Sequence, residues 1–429
     1  MTASAAHRII ISGAGIAGLT AALAFAAKGF SVAIFDKTPR LSDVGAGLQL
    51  APNATRLLAR LGVLERLMAH AVIPDALYLQ NGTSGETLLR MALGDAAEAR
   101  WNAPYLVCHR ADLQAALVAA VSEHPDITLS LGSNVVSHRA DQDGATVQID
   151  AGDRIEEHRG ALLLGCDGVW STRRSAGEHR PGAAFTGHIA WRASLPRAAL
   201  PQAFENLLPE GNSVSAWLGR GVHFIAYPVR AGKSFNFVAI TKGRDPGREW
   251  SSQGDSIALS AAFSGWHRAI HDVIRAAEQW TFWPLFQIAH PHFTLSERVV
   301  LLGDAAHAMT PFAAQGAAMA IEDACALAAA LSGEETGWPA SLARFNRARL
   351  TRIASVTRRG LLNRFAYHAA GPFALGRNML LRSRPPERFL ADLDWLYGYD
   401  GTGFGPVEVG AAIPPSALPG ISPTRGEIG

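Results

Sequence analysis

The stretch from Arg8 to Asp36 constrains the fold more than any other part of this 429-residue chain. Arg8 to Ser12 is apolar and β-branched and predicts a strand; Ile16 to Lys28 has a helical pattern; Ser31 to Asp36 predicts a second strand. Between the first strand and the helix lies Gly13-Ala14-Gly15-Ile16-Ala17-Gly18. Such a turn lets a strand reverse tightly into a helix while its backbone approaches a pyrophosphate, with the N–H groups of the helix start and the helix dipole facing the phosphate oxygens. Asp36 ends the second strand, followed by Lys37, where a carboxylate accepts hydrogen bonds from an adenosine ribose and repels a 2′-phosphate. Three spaced glycines alone are often a mere turn. Strand, helix, second strand and acid together point to a nucleotide site.

Two further glycine-aspartate signatures follow. Gly165-Cys166-Asp167-Gly168 ends the buried strand Ala161-Leu-Leu-Leu164, and taken alone it is simply a turn. Gly303-Asp304-Ala-Ala-His307 ends the strand Val299-Val-Leu-Leu302, where a carboxylate can hold a ribityl or ribose hydroxyl. Pro311, Gln315 and Gly316 then lead into an Ala-rich helix from Gly316 to Leu331. Its positive N-terminus, aimed at a flavin ring, would stabilise the anion formed on reduction. A helix-opening loop explains the Pro and Gly but not the Asp, His and Gln. In this order, the three signatures make the nucleotide FAD.

The length suits two or three domains. Pro52 to Ala69 is predicted helical, with Leu57, Leu58, Leu61 and Leu64 on one face. Ala76 to Met91 reads as a strand pair broken at Asn81-Gly82. Arg110 to Val121 reads as a helix, and Ile127 to His138 and Ala145 to Asp150 as strands. Ser213 to Leu218, Val222 to Tyr227 and Phe235 to Thr241 alternate as an antiparallel sheet would, and Ser256 to Ala277 is predicted helical. The fold class is α/β: a Rossmann-like nucleotide domain (1–75, 100–185 and 285–340) interrupted by a mostly antiparallel substrate-binding sheet (76–99 and 186–284). C-terminal helices (341–400) and a flexible Gly- and Pro-rich tail (401–429) follow. Ser341 to Leu390 carries eleven arginines against one acid, Glu387; such a face is either solvated or attracted to anionic lipid.

A net charge of +2 gives no argument for nucleic acid. Cys108, Cys166 and Cys325 have no metal-ligand spacing, so no metal is expected and a reducing compartment fits. The apolar start is broken by its glycine turn, unlike a signal peptide, and no run is long enough to span a membrane. The expected location is cytoplasmic.

On these motifs the chain resembles the single-component FAD-dependent aromatic hydroxylases, the group that includes salicylate, 3-hydroxybenzoate and 6-hydroxynicotinate monooxygenases. Supporting segments are Val44-Gly-Ala-Gly-Leu-Gln-Leu-Ala-Pro-Asn53, His109-Arg110-Ala-Asp-Leu113, Ala190-Trp-Arg192 and Asp394-Trp-Leu-Tyr-Gly-Tyr-Asp400. The resemblance implies that Gly13, Gly15, Ile16, Ala17, Gly18, Asp36, Lys37, Gly47, Arg110, Val135, Asp167, Gly168, Asp304, Pro311, Gln315, Gly316 and Ala317 hold the cofactor. Arg110 would contact it directly, and Asp167 belongs to a motif tied to both FAD and nicotinamide. It also implies that NADH or NADPH reduces FAD, O₂ forms the flavin C4a-hydroperoxide, and a phenolic aromatic or N-heteroaromatic acid is hydroxylated, with or without decarboxylation.

A phenol reacts best as its phenolate, so a base is expected near its hydroxyl. Residues 223, 225 and 227 project to one face of an extended strand, so His223 and Tyr227 can address one pocket while Phe224 and Ala226 pack behind. Read from the strand alone, the pair is better explained as a satisfied histidine and an interfacial tyrosine on a half-buried strand. The same pair precedes a proline in the 3-hydroxybenzoate and 6-hydroxynicotinate enzymes, which makes His223 the base and Tyr227 its orienting or relaying partner. Gln315 borders flavin and substrate in this reading. Val214 stands where the nicotinate enzyme has a cysteine, which argues against 6-hydroxynicotinate itself. Gln49 lies on a loop near flavin and substrate with its role open, and Arg192 either binds a substrate carboxylate or pairs on the surface. The competing functions are a flavin monooxygenase acting on a larger natural-product scaffold, and a flavin-binding redox sensor or membrane-associated protein. No Trp-x-Trp-x-Ile-Pro segment supports a halogenase.

Overall fold

The structure is a computed structural model that describes residues 7–41, 47–175, 182–245, 247, 252–277, 279–333 and 337–400. The expected flexible tail, 401–429, and positions 44–46 of the Val44–Asn53 segment lie outside the described residues.

Arg8–Ser12 pairs in parallel with Ser31–Asp36 on one side and Leu162–Gly165 on the other. Ile127–Leu131 and Val299–Leu301 extend the parallel set, and Thr294–Ser296 adds an antiparallel edge, making six strands. Both faces are covered, which is why the first strand is three successive isoleucines. Ile9 and Ile11 pack toward the helices Ile16–Ala26, Arg110–Glu123 and Gly316–Ala330. Ile10 points the other way, onto Val135, Val147 and Ile149 of a three-stranded antiparallel sheet.

An eight-stranded sheet forms the second layer system, in the order Ser252–Gly254, Trp280–Gln287, Ala184–Pro196, Ser234–Lys242, Val222–Val229, Ser213–Gly219, Ala76–Asn81 and Thr87–Ala92. All its pairs are antiparallel except Ser213–Gly219 with Ala76–Asn81. Alternation splits its side chains. Trp191, Trp217, Phe224 and Phe237 build one core with the helices Ser256–Ala262 and Arg268–Ala276. His223, Ile225 and Tyr227 take the opposite face, together with Val214, Ala216 and Leu218 opposite them.

Three predicted elements divide at glycines. The helix expected over Pro52 to Ala69 breaks into Pro52–Arg60 and Leu64–Met68, with Gly62 at φ 69°. That expected over Ser256 to Ala277 breaks at Gly265, φ 77°. The strand expected over Ile127 to His138 is two strands in different sheets, turned apart at Gly132, φ 66°. The expected C-terminal helices are, among the described residues, Trp338–Tyr367, Gly371–Ser383, Pro386–Ala391 and Asp394–Tyr397. No helix among the described residues is long and apolar enough to cross a membrane.

Candidate active site

The three glycine-aspartate turns meet. The N–H of Cys166 donates to the Ser12 carbonyl, and a Cβ on Gly13 (φ 111°) would collide with the Cys166 carbonyl, so the second turn lies directly on the first. Gly303, at φ 59°, sits where a Cβ would come within 3.0 Å of Ala17 and 3.2 Å of Ala320, wedged between the first helix and Gly316–Ala330. A Cβ on Gly18 would run into the Gly13 carbonyl. Gly15 differs, since a Cβ there would meet nothing within 4 Å; its backbone faces open space.

That open space has the chemistry of an anion site. Ile16–Ala26 and Gly316–Ala330 both begin without a side-chain cap, leaving backbone N–H groups near Ile16, Ala17, Gly316 and Ala317 available. Asp36 accepts from the Ala14 N–H at 2.6 Å and the Thr38 N–H at 2.8 Å, so it is rigidly aimed while retaining lone pairs for ribose hydroxyls. Lys37 and Arg110 are exposed, the latter at the first position of its helix. Asp304 is exposed, and no hydrogen bond or ion pair engages its carboxylate among the described residues. These features fit a dinucleotide such as FAD.

Asp167 is committed differently. Its Oδ2 accepts from the Thr172 N–H at 3.0 Å and pairs with Arg173 at 2.9 Å, while its Oδ1 is buried without a partner. Arg173 also donates to the Val135 carbonyl, so Asp167, Gly168 and Val135 are bound into one local unit. The Val135 side chain belongs to the core beneath the small sheet.

Opposite this cradle, the eight-stranded sheet and the C-terminal helices enclose a cavity of about 520 Å³. Its sheet wall is apolar, with Leu77, Leu79, Val214, Ala216 and Ile225. Its polar points include His223, Gln49 and Tyr105, and the Tyr105 hydroxyl donates to Gln49 Oε1 at 2.7 Å. Pro311 and Phe312, just before the uncapped helix, form another wall.

His223 is almost fully buried, and its Nδ1 lies 2.8 Å from Nε2 of His368, at the end of the helix Trp338–Tyr367. Burial, then His368 and His188, hold the His223 pKa well below the usual histidine range. His368 is brought down to about 4 by burial, His188, Arg364 and Lys242. Both imidazoles are therefore neutral at pH 7. Phe312 packs against all three histidine rings at 5.5–5.7 Å, and Tyr367 packs edge-on to His223 at 5.2 Å.

Tyr227 shares the strand face of His223 but does not line the cavity. Its ring abuts Gly47, where a Cβ would come within 2.7 Å of the hydroxyl, and the Gly47 N–H donates to Asn236 at 2.7 Å. Burial raises its pKa, with Arg192 opposing. Arg192 is neither paired on the surface nor in the cavity lining. It is half-buried, stacked 5.4 Å from the Trp283 ring centroid, with its Nε unpartnered. Gln315 is buried at the cap position of Gly316–Ala330, its Oε1 accepting from Asn53 at 3.0 Å.

Asn53 leads to a buried charge cluster. Its Nδ2 also donates to Glu322, which pairs with Arg349 and Arg352 at 2.8 Å each, while Asp323 pairs with Arg349 at 2.8 Å and with His307 at 2.5 Å. For Glu322, burial opposes ionisation, but Arg352 and Arg349 outweigh it and hold the carboxyl below its ordinary range. Arg349 and Arg352 thus depart from the expected solvated or lipid-facing basic tail, because acids on the neighbouring helix draw them inside, while Arg344, Arg347, Arg358, Arg382 and Arg388 are exposed.

Among the residues that line the cavity, sequence reasoning passed over Phe312, Arg359, Asn363 and Tyr367, and behind them His188 and His368. The available signal was Tyr367-His368, two titratable rings closing an otherwise arginine-rich helix.

Residues 6–360 match the family described as FAD binding domain. The chain is 32% identical to a 3-hydroxybenzoate 6-hydroxylase of Polaromonas naphthalenivorans, covering 91% of this chain and 96% of the relative. It is 33% identical to a 6-hydroxynicotinate 3-monooxygenase of Bordetella bronchiseptica, covering 92% and 95%. Among solved structures, a salicylate hydroxylase in a substrate complex superposes with a TM-score of 0.77 at 23% identity, over 93% of this chain and 97% of that one, a likeness of fold.

Proposed function

From the premise that this chain belongs to the FAD-dependent aromatic hydroxylases and is a flavin monooxygenase, we propose that it hydroxylates a phenolic aromatic or N-heteroaromatic acid with NAD(P)H and O₂. The observation that carries the substrate reading is the neutral, buried His223 in the wall of an apolar cavity, beside the loop that opens the uncapped helix.

FAD, when bound, supplies the electron and oxygen chemistry; the protein must hold the ring, exclude water and manage one proton. Gly15, the starts of Ile16–Ala26 and Gly316–Ala330, Asp36, Arg110 and Asp304 would hold the dinucleotide. The apolar strands grip the substrate ring. With Nδ1 of His223 engaged by His368, Nε2 remains for the substrate hydroxyl. In this reading the hydroxyl proton passes to Nε2 of His223 as the Nδ1 proton passes to Nε2 of His368, which is only half-buried and returns it to solvent. Tyr227, against Gly47 and near Arg192, supports the loop rather than the ring. Gln315, tied to Asn53, sets the start of the flavin-facing helix.

The cavity's volume also admits a bulkier aromatic scaffold. The test is substrate-stimulated NAD(P)H oxidation by the yellow holoenzyme across hydroxylated benzoates, nicotinates and larger phenols. Stoichiometric hydroxylated product from an acid supports the proposal. Product only from larger neutral phenols, or only peroxide, overturns it.

A further inference from the structure

The charged lining of the cavity comes from the C-terminal helices: Arg359, Arg377, Arg384 and Asp392. Two of these arginines are satisfied. Arg377 donates to the Ala366 carbonyl at 2.8 Å and to Asn378, and Arg384 makes a two-point pair with Asp392 at 2.5 and 3.0 Å. Arg359 is not. Its Nε is buried without a hydrogen-bond partner, and among the described residues no carbonyl or carboxylate engages its guanidinium.

The orientation of Arg359 is fixed by its helix. Arg359, Leu362, Asn363 and Ala366 recur at helical spacing and all line the cavity. Asn363 donates to the Phe312 carbonyl at 2.9 Å, which pins that face to the loop before the flavin-facing helix. The Arg359 charge acts on Tyr367 and Tyr397, both in the cavity wall, and Tyr367 packs on His223. Arg359 is half-buried, with its Nε out of water and no counter-ion beside it, and an incoming anion would supply that partner. Asp392 is already taken by Arg384, so among the described lining residues no acid is left for it.

We propose that Arg359 binds the carboxylate of the substrate, so that the cavity takes a hydroxyaromatic carboxylate with its hydroxyl at His223 and its acid at Arg359. The inference rests on the monooxygenase reading above and makes Arg359, rather than Arg192, the anion-binding residue.

The experiment measures binding to holoenzyme by perturbation of the flavin spectrum, with 3-hydroxybenzoate and 4-hydroxybenzoate against the matched neutral hydroxybenzyl alcohols. Wild type should favour an acid over its alcohol at least about tenfold. Arg359→Met should weaken acid binding roughly 10- to 100-fold, leave alcohol binding and flavin content unchanged, and erase the preference. Arg359→Lys should restore part of it. Should Arg359→Met lose flavin, Arg359→Gln and the wild-type preference carry the test. Acid binding that survives Arg359→Met but falls in Arg192→Met overturns the assignment and moves the anion site to Arg192. A wild type that takes up the alcohols as well as the acids overturns the substrate class, and a chain without flavin sinks the monooxygenase reading itself.

Discussion

Replacing His368 with Phe separates a proton relay from simple packing. The ring and its contacts with Phe312 are largely kept, while the acceptor 2.8 Å from His223 Nδ1 is lost. A neutral hydrogen bond is worth about 1 kcal/mol net, and a buried donor left unmet costs about 1–3 kcal/mol. Proton transfer to His223 should therefore become harder by roughly 1–3 kcal/mol, a fall in the hydroxylation rate of about 5- to 150-fold. His223→Gln removes the base and should cost roughly 10²–10⁴-fold. Because His368 acts through His223, the double variant should be no slower than His223→Gln. Single-turnover hydroxylation on pre-reduced enzyme, from pH 6.5 to 9.5, reads all three; each deficit should shrink as pH nears the substrate hydroxyl's own pKa, about 10 for a phenol. A full hydroxylation rate in His368→Phe at every pH, or a double variant losing the product of the two single losses, would refute the relay.

Other outcomes follow from geometry already described. Gly18→Ala places a methyl in the Gly13 carbonyl and should yield protein with little or no bound flavin, checked by absorbance after purification. Glu322→Gln leaves Arg352 and Arg349 without a full counter-charge in the core and should destabilise the fold by about 3–5 kcal/mol, measured by urea unfolding of the holoenzyme. His368 titrates near 4 when folded but near 6.5 when unfolded, so the unfolded state binds more protons between those values. Stability should be complete above pH 6.5 and fall by about 3 kcal/mol toward pH 4, and His368→Phe should flatten that slope in thermal melts.

The nucleotide-binding half was legible because its chemistry is local. Gly13, Gly15, Gly18 and Asp36 occupy one turn and one strand end, and the isoleucines before them announce a strand covered on both sides. Alternation also told which way His223 and Tyr227 point, but not how far the cavity runs along the strand; that depends on where Gly47 and Asn236 close against Tyr227. Gly62, Gly132 and Gly265 each adopt positive φ, a choice that apolar periodicity does not record. The arginine-rich segment looked like a solvated surface because the acids that bury Arg349 and Arg352 lie in an Ala-rich helix 26 to 30 residues earlier. His368 and Arg359 gain meaning only when their helices fold back over the sheet.

That fold-back has a consequence for biogenesis. Glu322 and Asp323 sit in the helix Gly316–Ala330, yet their neutralising guanidiniums are translated later, with Arg349 and Arg352. Until those arginines emerge, Glu322 has no cationic partner and Asp323 has only His307, which disfavours burying the helix against its sheet. A polypeptide released before Arg349 should therefore fail to bury that helix and should emerge colourless.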